Sequence, residues 1–359
     1  MELHLRRKAA HLAVLSLIVI VLNQQCLKGN AQPLVPAVFV FGDSTVDVGN
    51  NNYLETILKS NFLPYGRDFD TKEPTGRFCD GRIATDYTVS LLGFDSFPLP
   101  YLQARSTGVN LTIGANFASG GSGFFDSTAQ HFQNVLTMDQ QLELFKEYKG
   151  KLASVVGVAN ASSIINGALY VISAGNSDFL QNYYINLRLR RLYTPIQFGQ
   201  IVLDLQTKFI QNLYNLGARR IGVVSLAPFG CVPLQLTVSR QASGCVESLN
   251  QVASSYNAAL NRTIVNLGSA LSGLKIAYFD IYNGLLDIIK DPSANGFTEA
   301  RRACCGTGRV ETAILCNQFS PGTCSNASEY VFFDSVHPSQ AANQILANNL
   351  IFAGIALVT

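Results

Sequence analysis

The amino-acid sequence predicts a single α/β domain in which helices cover both faces of a parallel sheet. Two observations support this prediction. Short, continuous apolar runs alternate along the chain with longer amphipathic stretches, a pattern typical of fully buried strands joined by crossover helices. In addition, 48% of the 359 residues are hydrophobic and only 14% are charged, so the chain can fill one large core.

Four of the apolar runs are predicted strands, at residues 35–41, 168–173, 220–226 and 275–279. Residues 138–148 and 198–216 are predicted helices, because their apolar residues recur with helical spacing. The apolar tail, residues 350–358, is short for a membrane span and is expected to form a docked terminal helix; a glycolipid-anchor signal is the alternative. No repeat or linker interrupts residues 32–359, which are therefore predicted to form one domain.

Residues 1–31 have the organisation of a secretory signal peptide. Arg6, Arg7 and Lys8 precede an apolar run at residues 12–22, and small residues near Ala31 offer a cleavage site. The apolar run is much shorter than the roughly 20 residues of a spanning helix, which disfavours the alternative of a membrane anchor. We therefore expect a secreted protein, located outside the cell or in the cell wall.

Four Asn-x-Ser/Thr motifs agree with secretion, because this motif is the acceptor for N-glycosylation. The predicted glycosylation sites are Asn110, Asn160, Asn261 and Asn326. Each motif alone is weak support for secretion, but all four are consistent with the leader.

The cysteines predict local disulfide bonds. Of the eight, Cys26 lies in the predicted leader. Six of the others form two groups that are close in the sequence: Cys231 with Cys245, and Cys304, Cys305, Cys316 and Cys324. Bridges within each group leave one thiol, which we predict to be the isolated Cys79. A structural zinc site is not expected, because paired Cys-x-x-Cys spacing is missing from the sequence.

The charge balance argues against a nucleic-acid partner. The chain has 26 basic and 24 acidic residues, and the leader holds four of the basic and one of the acidic ones, so the remainder is close to neutral. One basic cluster, Arg188, Arg190 and Arg191, is interpreted as a solvated helix face.

The sequence Gly-Asp-Ser at residues 42–44 directly follows the first predicted strand. Loops and free helix N–H groups gather at the carboxyl ends of parallel strands, so Gly42 would let the chain turn and present the Ser44 hydroxyl there. A serine in this position is often only the N-cap of the next helix. The alternative is a nucleophile, which requires a base to take its proton.

Two histidines, His131 and His337, lie outside the predicted leader. His337 follows Asp334 by three residues at the end of an apolar run. A loop can place the Asp334 carboxylate against one ring nitrogen and leave the other to accept the Ser44 proton. His131 has no such neighbour and is expected to be a packing or surface residue. The Gly-x-Ser-x-Gly elbow of α/β-hydrolases is missing from the sequence, so a different serine-hydrolase architecture is predicted.

Four blocks, FGDSTVDVGNNN, GANFASGGSG, VISAGNSDF and FFDSVHPS, resemble those of plant secreted GDSL-type esterase/lipases of the SGNH hydrolase superfamily. They stand in family order and extend over essentially the whole chain after the leader. The resemblance implies a three-layer α/β/α fold with a mostly parallel, five-stranded, flavodoxin-like sheet. It also implies a serine ester hydrolase without metal or organic cofactor, whose substrate is a small-molecule, lipid or carbohydrate ester.

The resemblance implies site residues as well. Ser44 corresponds to the nucleophile, and Asp334 and His337 complete its triad. The oxyanion donors are the Ser44 N–H, Gly120 and Asn176, with the adjacent Gly121 leaving the register of the glycine open by one residue. Thr45 stands where the family's name implies leucine, which bears on substrate fit rather than on the chemistry.

Other interpretations of these motifs remain open. The glycine-rich segment at residues 120–123 could be a plain loop; a phosphate cradle is disfavoured because the Walker ending is missing. Asn176 could cap a helix. Four polar residues are assigned to loop hydrogen bonding: Asp43, Asp47, Asn50 and Asp178. An acyltransferase using the same acyl-serine, and a catalytically idle lipid- or wall-binding protein, are the alternative functions.

Overall fold

The computed structural model describes residues 32–107, 111–131 and 134–358. Its main sheet has five parallel strands in the order β2-β1-β3-β4-β5. They are β1 Val38–Gly42, β2 Gly114–Asn116, β3 Leu169–Ser173, β4 Arg220–Val224 and β5 Lys275–Phe279. This is the flavodoxin-like order, in which the chain leaves β1 and β3 in opposite directions and opens a crevice at their carboxyl ends. The predicted parallel sheet is confirmed.

The helices of the described residues connect these strands and cover the sheet. They are α1 Ala84–Leu91, α2 Tyr101–Thr107, α3 Asp126–Gln130, α4 Met138–Val156, α5 Val158–Gly167, α6 Leu187–Leu192, α7 Pro195–Asn215, α8 Pro233–Val238, α9 Glu247–Ala270, α10 Ile281–Lys290 and α11 Gln340–Val358. A π-helical turn spans Asp178–Tyr183. Two further strands, β6 Glu299–Ala303 and β7 Tyr330–Phe332, pair in parallel as a separate two-stranded sheet.

The sheet separates two apolar layers, because successive side chains of a strand point to opposite faces. In β1, Phe39 and Phe41 are buried on the face covered by α4, α7 and α9. Val38 and Val40 are buried on the opposite face, which α1 and α11 cover. The three-layer α/β/α fold implied by the family resemblance is therefore confirmed.

Four of the five main strands were predictable from sequence, since β1, β3, β4 and β5 lie within the predicted runs or extend one residue beyond them. The predicted helices at residues 138–148 and 198–216 correspond to α4 and α7. The helix α7 begins earlier than predicted, because Thr194 and Gln197 form a capping box and Pro195 occupies the first turn. Strand β2 is only three residues long, too short to leave an alternating or apolar pattern.

The disulfides follow the predicted groups. They join Cys231 to Cys245, Cys304 to Cys324, and Cys305 to Cys316. Cys79 is a free, buried thiol, as predicted.

The surface features agree with the sequence where the structure describes them. The glycosylation candidates Asn160, Asn261 and Asn326 are exposed, whereas Asn110 and the predicted leader lie outside the described residues. The arginine cluster lies on α6, and its three members, Arg188, Arg190 and Arg191, are all exposed. Residues 350–358 belong to α11. By length and composition alone this helix could cross a membrane, and 28% of its most apolar 18-residue stretch is buried inside the protein.

Candidate active site

Ser44 lies in the turn that follows β1 because Gly42 ends the strand with a backbone that other residues rarely adopt. Its φ is +149°, and a Cβ at this position would lie 1.9 Å from the carbonyl oxygen of Ser173. The side chain of Gln141, from α4, binds both backbone polar groups of Gly42. It accepts from the Gly42 N–H over 2.9 Å and donates to the Gly42 carbonyl over 2.8 Å. The turn therefore fixes Ser44 at the carboxyl edge of the sheet.

His337 reaches Ser44 from the other end of the chain. Its Nε2 lies 2.7 Å from the Ser44 Oγ. Its Nδ1 lies 2.8 Å from the Oδ2 of Asp334 and 2.9 Å from Oδ1. All three side chains are buried, with at most 7% of each residue exposed. The arrangement can carry a proton from the serine to an imidazole whose other nitrogen is held by a carboxylate.

Asp334 follows β7, and the turn after it closes on its own carboxylate. Its Oδ1 accepts from the backbone N–H groups of Val336 and His337 over 2.9 and 2.8 Å. Its Oδ2 accepts from the hydroxyls of Tyr65 and Thr312 over 2.7 and 3.0 Å. Both oxygens are thus saturated by donors, which fixes the carboxylate against the imidazole.

These surroundings keep Asp334 ionised although it is completely buried. Burial alone would raise the pKa of this carboxyl, but the charge of His337 and the hydrogen bonds from His337, Tyr65 and Val336 outweigh it and hold the pKa below its ordinary value of 3.8. A charged carboxylate stabilises an imidazolium that forms beside it.

The glycine-rich loop contributes backbone N–H groups near this turn. The N–H of Gly120 donates to Oδ2 of Asp47 over 3.0 Å, so that donor is already engaged. The next residue, Gly121, has a φ of +84°, and its N–H has no acceptor among the described residues. The Ser44 N–H likewise has no acceptor in the described ranges.

Asn176 follows β3, the neighbour of β1, and lies at the same edge of the sheet. Its Oδ1 accepts from the Ala227 N–H over 3.0 Å. This bond fixes the amide so that Nδ2, which has no acceptor within the described residues, is left as a donor. The side chain lines the same cavity as His337. It is not the N-cap of a helix of the described chain.

The four residues assigned to loop hydrogen bonding do have that role. Asp47 accepts from the backbone of Gly49 and Asn50 as well as Gly120. Asp178 accepts from Phe124, Phe125 and Thr128, and thereby ties the glycine-rich loop to the turn after β3. Asp43 accepts from Thr45, and Asn50 donates to the carbonyls of Asn116 and Ala118. His131 is exposed and lies 3.0 Å from Asn182, in agreement with a surface role.

Three supporting residues escaped sequence reasoning: Gln141, Tyr65 and Thr312. Gln141 lies 99 residues from the glycine that it holds, and Tyr65 lies 269 residues from Asp334. Gln141 occupies a buried position of α4 otherwise filled by apolar residues, and a polar residue in such a stripe is the one signal that could have drawn attention to it.

Comparison with known proteins gives matches over most of the chain. The family model described as GDSL-like Lipase/Acylhydrolase matches residues 38–350. The Arabidopsis thaliana protein GDSL esterase/lipase At5g03820 is 53% identical over 92% of this chain and 94% of its own length. GDSL esterase/lipase At5g22810, from the same plant, is 54% identical, with 92% of both chains covered. GDSL esterase/lipase APG, also from Arabidopsis thaliana, is 49% identical over 95% of this chain and 97% of its own.

Similarity to a solved structure is weaker. An alpha/beta hydrolase enzyme from the metagenome of Lake Arreo, Spain, aligns with 90% of this chain and 96% of its own at 10% identity, with a TM-score of 0.42. That similarity is too low to carry an argument, and the assignment of the fold depends on the strand order given above.

Proposed function

The chain belongs to the GDSL-like lipase/acylhydrolase family and is a serine ester hydrolase, and from this premise we propose that Ser44, His337 and Asp334 carry out the reaction. The observation that carries the proposal is the continuous chain of contacts from Ser44 Oγ through both nitrogens of His337 to Asp334, at 2.7 and 2.8 Å. Nucleophile, base and orienting carboxylate are thus within hydrogen-bonding reach of one another.

In the proposed first step, Ser44 Oγ forms a bond to the carbonyl carbon of the ester while its proton moves to Nε2 of His337. The resulting imidazolium is stabilised by Asp334. When the tetrahedral intermediate collapses, the bond from carbon to the alkoxy oxygen breaks, and His337 returns the proton to the departing alcohol. Water then attacks the acyl-serine by the same route, with the acid released and the Ser44 hydroxyl restored.

We propose that the oxyanion is held by three donors: the N–H groups of Ser44 and Gly121, and Nδ2 of Asn176. Gly121 is chosen over Gly120 because the Gly120 N–H is engaged by Asp47. Donors that are fixed before the charge develops need no reorganisation in the transition state, which is the usual source of their large effect on rate.

Purified protein and p-nitrophenyl acetate provide the test. Ser44→Ala and His337→Ala should each lower kcat by about four to six orders of magnitude. Ser254→Ala and His131→Ala are the matched controls and should hydrolyse the ester at the wild-type rate, since both positions are exposed on other parts of the surface. Hydrolysis by Ser44→Ala at the wild-type rate would refute the assignment.

We further propose that the protein is secreted after cleavage near Ala31. The signal-peptide pattern of residues 1–31, the three disulfides and the exposed sequons support this localisation. Expression in plant cells should give an extracellular protein whose sequence begins close to residue 32. Digestion with a glycosidase should lower its apparent mass, and Asn160→Gln, Asn261→Gln and Asn326→Gln should reduce that change. Retention of residues 1–31 in intracellular protein would contradict the proposal.

A further inference from the structure

A cavity of about 190 Å³ lies between the sheet and the layer formed by α1 and α11. Strands β3, β4 and β5 form its floor, through side chains such as Val171, Val224 and Phe279. Its roof is α11, where every turn from Asn343 to Val358 contributes a residue to the wall. A layer between sheet and helix is normally close-packed, so a void of this size inside it requires an explanation.

The cavity is continuous with the proposed catalytic site. At the carboxyl edge of the sheet its wall includes His337, the proposed base, and Asn176, the proposed oxyanion donor. At the opposite edge the wall ends with Leu34, Leu91 and Ile355, which are 62, 51 and 46% exposed. The cavity therefore runs along the strands, from the reacting groups to an apolar opening on the far side.

The wall is almost entirely apolar, and nearly all its hydroxyl groups are engaged. Thr45 donates to Asp43 and is 3.0 Å from Ser173, and Thr88 donates to a carbonyl of its own helix. Thr85 is the exception, with a buried hydroxyl oxygen that has no partner. Apolar cavities of this size bind apolar molecules rather than water, and the lining residues of this one follow the length of α11, which suits an extended hydrocarbon.

We infer that this cavity, which we call the acyl cavity, holds the acyl chain of the substrate, and that the substrates are esters of unbranched fatty acids of medium to long chain. This inference rests on the proposed function. The acyl group, not the alcohol, stays bonded to Ser44 after the first step, and a cavity inside the fold suits the part that stays. The alcohol has to leave through the solvent-facing side before water attacks.

The length of α11 can be compared with the length of the acyl chain that the cavity would hold. The helix rises about 1.5 Å per residue, so the 15 steps from Asn343 to Val358 span about 22 Å. An extended hydrocarbon with bonds of about 1.5 Å advances about 1.25 Å per carbon along its zigzag. Positions Ala347 and Gly354 both line the acyl cavity and are seven residues apart, which corresponds to a difference of about eight carbons.

Both positions can be used to shorten the acyl cavity. A Cβ at Gly354 would have one neighbour, the ring of Phe279 at 4.0 Å, so a larger side chain can enter the cavity without meeting backbone. Ala347 is 2% exposed and lies nearer to His337 along the helix. Leucine at either position blocks the acyl cavity at a defined depth. Gly150→Leu is the matched control, because a Cβ there meets nothing within 4 Å.

The test is kcat/KM for p-nitrophenyl esters with chains from two to sixteen carbons. Gly150→Leu should cleave the acetate ester like wild type, and the kcat/KM of each cavity variant for that ester is the reference for its own longer chains. For longer chains, Ala347→Leu and Gly354→Leu should lose activity about tenfold for every two methylene groups expelled from the cavity. The loss should begin about eight carbons later in Gly354→Leu than in Ala347→Leu. Gly150→Leu should keep the wild-type profile.

Inhibition of acetate-ester cleavage by hexadecanoate gives a second readout that does not depend on turnover of long esters. Hexadecanoate should inhibit wild type and Gly150→Leu, and inhibit Ala347→Leu at least tenfold more weakly. Wild-type chain-length profiles in both cavity variants would overturn the inference, as would an equal loss at every length including acetate. If wild type cleaves no ester at all, the proposed function itself fails; acetate cleavage that depends on Ser44 separates the two cases.

Discussion

The Nε2 atom of His337 lies 2.7 Å from the Oγ atom of Ser44, although 293 residues separate them in the chain. The fold brings them together because β1 delivers Ser44 to the carboxyl edge of the sheet, while the turn between β7 and α11 carries His337 across the same edge. The ring of Phe78 packs against the imidazole with centroids 5.2 Å apart, which restricts its orientation. The contact is the basis of the catalytic assignment.

Asn176→Asp should lower kcat by about 100- to 1,000-fold, because it removes one of the proposed oxyanion donors and introduces a negative charge where the oxyanion would develop. An aspartate keeps an oxygen that can accept from the Ala227 N–H, so the local fold should be preserved. The thermal unfolding midpoint should therefore stay close to that of wild type. Steady-state kinetics on an acetate ester measure the effect; an unchanged kcat would remove Asn176 from the oxyanion hole.

Tyr65→Phe should shift the pH dependence of activity. The Tyr65 hydroxyl is one of the donors that hold the pKa of Asp334 low, so its loss should raise that pKa. The low-pH limb of kcat/KM should then move to higher pH, because a carboxylate with one donor fewer stabilises the imidazolium more strongly, and the imidazolium cannot act as the base. The unfolding free energy should also fall by about 1–3 kcal/mol, since the buried Ala313 N–H loses its acceptor.

The control for this variant is Tyr148→Phe. The Tyr148 hydroxyl is also buried and donates to the carbonyl of Leu111, far along the chain from the catalytic turn. The Tyr148→Phe variant should be less stable than wild type and should keep the wild-type pH profile of activity. If Tyr65→Phe lowers stability but leaves the pH profile where it is in wild type, Tyr65 has a structural role alone.

Protein stability should fall as the pH rises from about 5 to 8. Burial raises the pKa of Asp178 to about 7 and that of Asp47 to about 6, despite their hydrogen bonds, against an ordinary value of 3.8. A raised folded-state pKa means that the folded protein holds the proton more tightly. The stabilising contribution of each carboxyl is complete below about pH 4 and is lost as the pH rises through the pKa of the folded state. The loss is at most about 1.4 kcal/mol per pH unit for each group.

Thermal unfolding between pH 5 and pH 8 checks this prediction. Groups with lowered pKa values, such as Glu311 at about 2, lose their contribution only in stronger acid and do not affect this window. The variant Asp178→Asn should show a shallower decline than wild type, because one of the two titrating carboxyls is gone. A wild-type midpoint that rises from pH 5 to pH 8 would contradict the prediction.

The sheet could be predicted from sequence where its strands are buried on both faces. The runs that became β1 and β3 are uninterrupted by charge, and burial on both faces dictates that composition. Strand β6 was missed because Glu299–Ala303 carries three charged side chains and lies outside the main sheet. Strand pairing at such a position depends on tertiary contacts rather than on a local pattern.

The candidate site was predictable in its reacting groups and not in their supports. Ser44 and His337 each follow an apolar run, and that local signal survives in the sequence. Which glycine N–H is free to act as a donor depends on Asp47, which accepts from the Gly120 N–H although the two residues are 73 positions apart. The acyl cavity left no sequence signal, because its lining has the same apolar spacing as an ordinary packed face of α11.

Labelling with a fluorophosphonate probe tests the central claim most directly, because the probe bonds only to a serine made nucleophilic by its surroundings. Mass spectrometry of the digested wild-type protein should find one probe, on the peptide that contains Ser44. His337→Ala should label far more slowly, and Ser44→Ala should not label. A probe bound to another residue, or folded wild-type protein that takes up none, would contradict the assignment of Ser44 as the nucleophile.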